Sequence, residues 1–492
     1  MYNWNIRYSK IVRQFPDLLN KDVSVLEVGS GNEGIALWLT RPVTCLERSW
    51  DGQINPWIIP IVGSIEDIPF AEKSFDYVIC VDVIEHLKFE GRKKAIEELI
   101  RVARSRVIIS CPAGRNSSEG EIALLEVFHR TGHTIPFWLQ EHIDNGLPEV
   151  GEIFKLILNT GLSFTLNGNE RRIQHFSGIL MDEFFPLSKK WNIEYTRKMT
   201  REPPIGESEW DDYYSWLFCI NVNKWLFPKI LTWDKDKLGE SPTASIYSVF
   251  HVNYPVDWLG RVTPIFVGAA AVNRGDALTD RSISATPLLN ERWSELSAIY
   301  RIWKDGPKSE IVGFEHYRRL FLFKEQTTEN REIFIKMEEL VNYSEYLWNY
   351  KEICLVDAGT IILPKPFDAK MSVFDHYCLN HCTDDWCRIL NIINENYPEL
   401  LPFVAEQFDD SFFYANNLFI STWGFFSNLC SVWFDILQRF TDAVPIRQGM
   451  IYQNRDVSFL AERVFDIWIR YCRSRGLKII HNPIVFVEYP PK

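Results

Sequence analysis

No apolar run in the 492 residues approaches the ~18 that a membrane-spanning helix needs. No basic block is present either. Lys and Arg number 53 against 65 Asp and Glu, a formal net charge of -12. Nucleic-acid binding is not expected, because phosphate neutralisation needs clustered cations. Internal repeats and low-complexity stretches are absent, which excludes solenoids and disordered arrays. The ten Cys fall singly at 45, 80, 111, 219, 354, 378, 382, 387, 430 and 472. The opening residues, MYNWNIRYSK, lack the apolar core of a secretory signal. A cytoplasmic chain with reduced thiols is therefore expected. What is present is ordinary globular composition, 46% hydrophobic and 24% charged, with apolar material for more than one core. The 18 Trp fit either extra core or a sugar-stacking surface, and composition alone does not choose.

The first half alternates short apolar runs with helical patterns. Residues 23–28, 43–46, 75–81 and 106–110 read as strands. Residues 35–39 open one helix. In another, residues 94–103, Ile96, Leu99, Ile100 and Ala103 share a face. Strands alternating with helices imply a parallel sheet and an α/β fold. Between residues 223 and 243 an aromatic stretch with Pro228, a charge run at 234–238 and a turn-rich segment mark a linker. The expected division is a domain over 1–226, a linker over 227–243 and a second domain over 244–492.

The string VLEVGSGNEG, residues 25–34, places glycines directly after a strand, where a ligand can approach the backbone. Glu47 ends the second strand, in register to accept hydrogen bonds from a ribose. Residues 63–87 read GSIEDIPFAEKSFDYVICVDVIEHL. These segments resemble the class I S-adenosylmethionine-dependent methyltransferases. The resemblance implies a Rossmann-like sheet. It also implies that Glu27, Gly29 and Gly31 hold the methionine moiety, that Glu47 holds the ribose, and that Ser64 and the Ile65 backbone read the adenine. Ser64 stands where many members carry Asp, and the glycine turn is one residue longer than the commonest form. Asp82, Glu85 and His86 lie just past the third strand, at the edge where open α/β sheets bind ligands. Asp82 is a cofactor contact on this reading. His86 is either a base for a hydroxyl acceptor or a structural histidine.

Past residue 245 come SIYSVFH ending in His251, PIFVGAA, RWSELSAIYRIWK, VGFEHYRRLF, TIILPKPF, HCTDDW, NENYPELLPF, NNLFI and RDVSFLAERVFDIWI. In this order they resemble the bacterial galactofuranosyltransferase family of O-antigen, capsule and exopolysaccharide synthesis, long catalogued as a domain of unknown function. The residues suit such chemistry independently. Arg318 and Arg319 offer bidentate donors to a sugar-nucleotide diphosphate, flanked by His251 and His316. Asp385, in a His-x3-Asp pattern with His381, Glu462 and Glu295 are candidates for the carboxylate that deprotonates an acceptor. A helical stripe of Trp293, Leu296, Tyr300 and Trp303 leaves Glu295 on another face. No clean Asp-x-Asp follows a strand, so a divalent metal on the diphosphate stays open. His376, Cys378, His381, Cys382 and Cys387 invite a zinc reading, but no second ligand pair is spaced to close a site.

Together the resemblances imply a bifunctional chain. A Rossmann-like domain uses S-adenosylmethionine. A GT-A-like domain moves sugar from a UDP-sugar onto a lipid-linked glycan. The alternative is a glycosyltransferase whose N-terminal module binds cofactor or orients its partner without turnover. The lipid-linked acceptor implies peripheral contact with the inner membrane or with a glycan-assembly protein. KWLFPKILTW, residues 224–233, is the candidate contact and equally reads as a buried strand. Oligomeric state is left open.

Overall fold

The computed structural model describes residues 2–184, 212–233, 238–252, 262–272, 278–280, 290–323, 331–447 and 455–488. Most of the expected charge run at 234–238 lies outside them. The chain forms two compact units. The first is Met1–Pro228 with Tyr377–Phe408, and the second is Lys229–His376 with Asp409–Lys492.

The first unit is a seven-stranded sheet: β1 (Val25–Val28), β2 (Val43–Glu47), β3 (Ile58–Val62), β4 (Phe75–Val81), β5 (Ala103–Pro112), β6 (Leu162–Gly168) and β7 (Ser215–Trp225). Their order is β3-β2-β1-β4-β5-β7-β6. The first five are parallel, and β7 runs antiparallel to both β5 and β6. β1 and β4 are buried throughout or nearly so, as expected of strands covered on both faces. The order reverses between β1 and β4, and a crevice opens beyond their carboxyl ends. β3, at the sheet edge, carries Pro60 in a run of Ile and Val that is partly exposed. The other edge, β6, is covered by the helix Thr383–Asn396. Asn391 Oδ1 accepts from the Leu166 N–H at 3.0 Å, and its Nδ2 donates to the Leu166 carbonyl at 3.2 Å. Asn394 donates to the Phe164 carbonyl. These amides occupy edge groups that would otherwise be open for pairing. The sequence reading leaves this helix in the second domain.

The second unit holds a nine-stranded mixed sheet. It is built from β8 (Ala244–Phe250), β9 (Thr263–Phe266), β10 (Ile311–His316), β11 (Arg319–Phe321), β12 (Glu332–Lys336), β13 (Thr360–Pro364), β16 (Phe419–Thr422), β17 (Lys478–Asn482) and β18 (Ile484–Glu488). β14 (Phe367–Asp368) and β15 (Phe412–Phe413) form a separate pair. β8 lies parallel to β10, and β10 lies antiparallel to β16. The expected single helix around Trp293 is two, Asn290–Trp293 and Leu296–Asp305, parted at Ser294 with φ 47°. That break turns Glu295 toward Asn417. The two units are α/β, the first Rossmann-like. Among the described residues no helix is long and apolar enough to cross a membrane.

Candidate functional site

In the first unit a cleft of about 380 Å³ opens at the carboxyl ends of β1, β2 and β4. Gly29, Glu47, Gly63, Ile65, Asp82, His86 and Glu141 line it. Gly29 has φ +79°, and a Cβ there would lie 2.0 Å from Val83 Cγ2. Gly31 has φ +56°, with nothing within 4 Å of an added Cβ. Glu47 Oε1 accepts from the Gly31 N–H at 2.6 Å, so the second-strand acid and the glycine turn define one rim. Asp82, at φ 54°, is paired with Arg7 at 2.8 Å.

Three expected cofactor residues, Glu27, Gly31 and Ser64, do not line the cleft, although Gly31 meets its rim through Glu47. Glu27 is fully buried, and its Oε2 accepts from the Ile35 N–H at 2.7 Å. Burial pushes its carboxyl up to about 7. It shapes the loop from beneath. The Ser64 hydroxyl accepts from the Glu66 N–H at 3.2 Å and closes a local turn, while Gly63 and Ile65 face the cleft.

Both ring nitrogens of His86 are engaged. Nδ1 lies 2.6 Å from Glu141 Oε2, and Nε2 lies 3.3 Å from His142 Nε2. Burial, then His142, lowers its pKa. Glu85, His86 and His142 are the one cluster of three metal-ligating groups among the described residues. The Cys-rich stretch at 376–387 forms none.

In the second unit β8 and β10 end side by side. This sets His251 and His316 with ring centroids 5.4 Å apart, and the Tyr317 hydroxyl lies 3.4 Å from His251 Nε2. Burial, then Arg455 and Arg318, pushes His251 down to about 4. Burial, then His251 and the charges of Arg319, Arg318 and Arg455, holds His316 well below its usual value. Both rings are therefore neutral at pH 7. Arg318 Nε has no hydrogen-bond partner, and its guanidinium lies over the Tyr317 ring. Arg319 lies 3.6 Å from Glu332 and over Phe486. Arg455 donates to the Ser294 hydroxyl at 3.0 Å. Sequence reasoning missed Arg455, which sits in the quoted RDVSFLAER string beside the more conspicuous Glu462.

Two of the three candidate acids meet at one turn. Glu462 Oε1 accepts from the Asn416 N–H at 2.8 Å, and Glu295 Oε1 accepts from Asn417 Nδ2 at 2.9 Å. Both asparagines have positive φ. Burial raises the Glu295 pKa, Arg455 lowers it, and Glu462 raises it further. Glu462 also accepts from Arg463 at 2.9 Å. Asp385 is not with them. It lies buried in the first turn of the helix Thr383–Asn396, in the first unit.

Two family profiles match the chain, the second of them running through residues 377–408 of the first unit. A methyltransferase domain profile matches residues 26–111, and the profile of a domain of unknown function, DUF4422, matches residues 245–473. Similar solved structures include the apo structure of the WbbM bifunctional glycosyltransferase, 25% identical with TM-score 0.45, covering 50% of this chain and 45% of that one. This chain thus spans less than half the length of that relative. Magnesium protoporphyrin IX methyltransferase from Synechocystis, with bound SAH, is 14% identical with TM-score 0.26, covering 44% of this chain and 84% of that one. A geranyl diphosphate methyltransferase in complex with SAM is 12% identical with TM-score 0.29, covering 43% and 84%. No curated protein matches the chain. The chain carries a methyltransferase domain over residues 26–111 and a DUF4422 domain over residues 245–473.

Proposed function

We propose that this chain is a bifunctional methyltransferase and glycosyltransferase of bacterial surface polysaccharide synthesis. The first unit binds S-adenosylmethionine, with Glu47 on the ribose and the Gly29–Gly31 turn against the methionine moiety. There the acceptor hydroxyl oxygen would bond to the methyl carbon as the sulfonium carbon–sulfur bond breaks, its proton passing to water in the cleft. The leaving thioether is neutral, so alignment matters more than acid–base help. The acceptor is a sugar hydroxyl or a glycan end.

The second unit, a GT-A-like transferase, binds a UDP-sugar, with galactofuranose the first candidate. An acceptor hydroxyl of a lipid-linked glycan attacks the anomeric carbon, and UDP leaves with the bonding electrons. Arg318, Arg319 and Arg455 meet the negative charge developing on the diphosphate. Neutral His251 and His316 offer ring N–H donors without a buried charge of their own. Glu295 takes the acceptor proton. Its raised pKa suits it better than Glu462, which is tied to Arg463 and Asn416. Asp385 is set aside as the base, because it is buried in the first turn of the helix Thr383–Asn396. Whether a divalent ion sits on the diphosphate is decided by assay with and without a chelator.

The observation that carries this reading is the convergence of three arginines on a neutral histidine pair beside two acids. The test uses the full chain with a panel of UDP-sugars, a lipid-linked acceptor and methyl-labelled S-adenosylmethionine. Sugar incorporation from one donor and label in the glycan are expected. UDP-sugar turnover without label would reduce the first unit to a binding or orienting module. Label without sugar transfer would refute the donor site.

A further inference from the structure

The strongest unassigned cluster lies behind the cofactor cleft. His86 Nδ1 is 2.6 Å from Glu141 Oε2, and His142 Nδ1 is 2.7 Å from Glu121 Oε1. A carboxylate accepts, so each Nδ1 carries the proton. Each neutral ring is thereby fixed in the tautomer that leaves a lone pair on Nε2. Those two Nε2 atoms face one another at 3.3 Å. Two lone pairs at that distance repel unless something positive lies between them.

The neighbouring groups say what the positive species is. Glu85 is completely buried, and neither of its carboxylate oxygens has a hydrogen-bond partner. A ligand oxygen of Glu85 and a nitrogen of each imidazole lie within 4.8 Å of one another. A buried carboxylate without a partner is costly, and a coordinated ion relieves that cost. Two bonds of about 2.0–2.1 Å at a tetrahedral angle place their nitrogens about 3.3 Å apart, which is the separation found here. Metal-bound histidines also commonly donate their other N–H to a carboxylate, as both rings do. The second carboxylate is itself held, since the Tyr214 hydroxyl donates to Glu121 Oε1 at 2.7 Å. Glu85, Glu121 and Glu141 set three carboxyl groups around the two rings, a ligand and support set that a divalent ion can use.

We propose that His86 Nε2, His142 Nε2 and the Glu85 carboxylate form a divalent transition-metal site of the zinc class, with Glu141 and Glu121 orienting the two imidazoles. Three protein ligands leave a fourth position open. His86 and Glu141 line the cofactor cleft, so that position suits a hydroxyl-bearing acceptor, whose oxygen a metal makes easier to deprotonate. This last consequence rests on the methyl-transfer reading; the site itself does not.

The test uses the full chain, stripped with a chelator and titrated with Zn²⁺ by calorimetry, then with Co²⁺ by visible absorption. One tight equivalent is expected, with a Co²⁺ spectrum free of a thiolate charge-transfer band, which separates this site from the ten Cys. The near-isosteric Glu85→Gln and the ligand-deleting His142→Ala should each weaken binding at least about 100-fold, and Glu141→Gln about 10–100-fold. Thermal melting of each variant reports folding, and Glu85→Gln decides if His142→Ala does not fold. No tight equivalent in the wild type, a thiolate band, or unchanged affinity in Glu85→Gln would overturn the proposal and leave a shared proton between the rings. Metal binding without methyl transfer would refute the acceptor role and keep the site.

Discussion

Gly29 and Gly31 look alike in the sequence and serve different ends. An alanine at Gly29 would drive its Cβ to 2.0 Å from Val83 Cγ2 and keep a positive φ, so the loop must move. An alanine at Gly31 meets no atom and carries only the left-handed backbone cost, roughly 1–2 kcal/mol. Gly29→Ala should lower the melting temperature and abolish S-adenosylmethionine binding, whereas Gly31→Ala should bind with a modest loss. Equal behaviour in calorimetry would refute this division. A second residue-scale expectation concerns Glu315, fully buried at the end of β10, whose carboxyl burial pushes from 4.5 to about 8. The folded state keeps that proton through a range where the unfolded chain releases it. Its contribution to stability is therefore greatest below pH 4.5 and is lost as pH rises toward 8. Glu315→Gln should flatten the fall in urea midpoint between those limits relative to wild type, and an unchanged slope would reject the assignment. The sequence displayed Gly29, Gly31, Glu47 and the arginine pair because turns and strand ends have local signatures. It could not display that Glu27 faces the loop, since period-2 alternation does not say what lies beneath a strand end.

At the scale of elements, the informative case is the helix Thr383–Asn396, which lies within the DUF4422 match yet packs on the first sheet. Its apolar face has the ordinary 3.6-residue period, which reveals burial and not the sheet it is buried against. What assigns it to β6 is a pair of amides, Asn391 and Asn394, whose partners are more than 200 residues away. Nothing local marks them. Asn391→Leu would leave the Leu166 N–H and carbonyl unpaired, at about 1–3 kcal/mol for each group that stays dry. The expected result is a lower melting temperature, together with weaker hydrogen-exchange protection along β6. Protection equal to wild type would show the helix to be dispensable there. A fragment ending near residue 228 would also expose the β6 edge, so cofactor titrations belong on the full chain. Four strands of the first sheet, β1, β2, β4 and β5, were legible because buried parallel strands read as continuous apolar runs. β3 was not, because Pro60 interrupts its run of Ile and Val.

For the whole molecule, a net charge of -12 makes the arginine cluster the local exception that an anionic sugar nucleotide requires. On the proposed donor site, Arg318→Ala, Arg319→Ala and Arg455→Ala would each remove charge-assisted hydrogen bonds to the diphosphate. Each should raise the barrier to sugar transfer by about 1.5–3 kcal/mol per bond, with S-adenosylmethionine affinity unchanged. Wild-type transfer rates in all three would place the diphosphate elsewhere. The same net charge bears on the acceptor's membrane. Trp225 and Phe227 are exposed by 55% and 75%, whereas Trp233 is buried and donates to the Ala358 carbonyl. The stretch 224–233 is therefore divided, with its first half offering aromatic surface and its last residue serving the core. Exposed Trp and Phe suit a lipid interface, and Lys224 and Lys229 suit anionic headgroups, but the remaining surface repels them. Weak association is the net expectation: partial flotation with anionic vesicles, increased by lipid-linked acceptor and abolished in the Trp225→Ser, Phe227→Ser double variant at unchanged melting temperature. Wild-type protein that stays at the bottom of the gradient under every condition would remove the lipid contact and leave a protein tether to bring the enzyme to its acceptor.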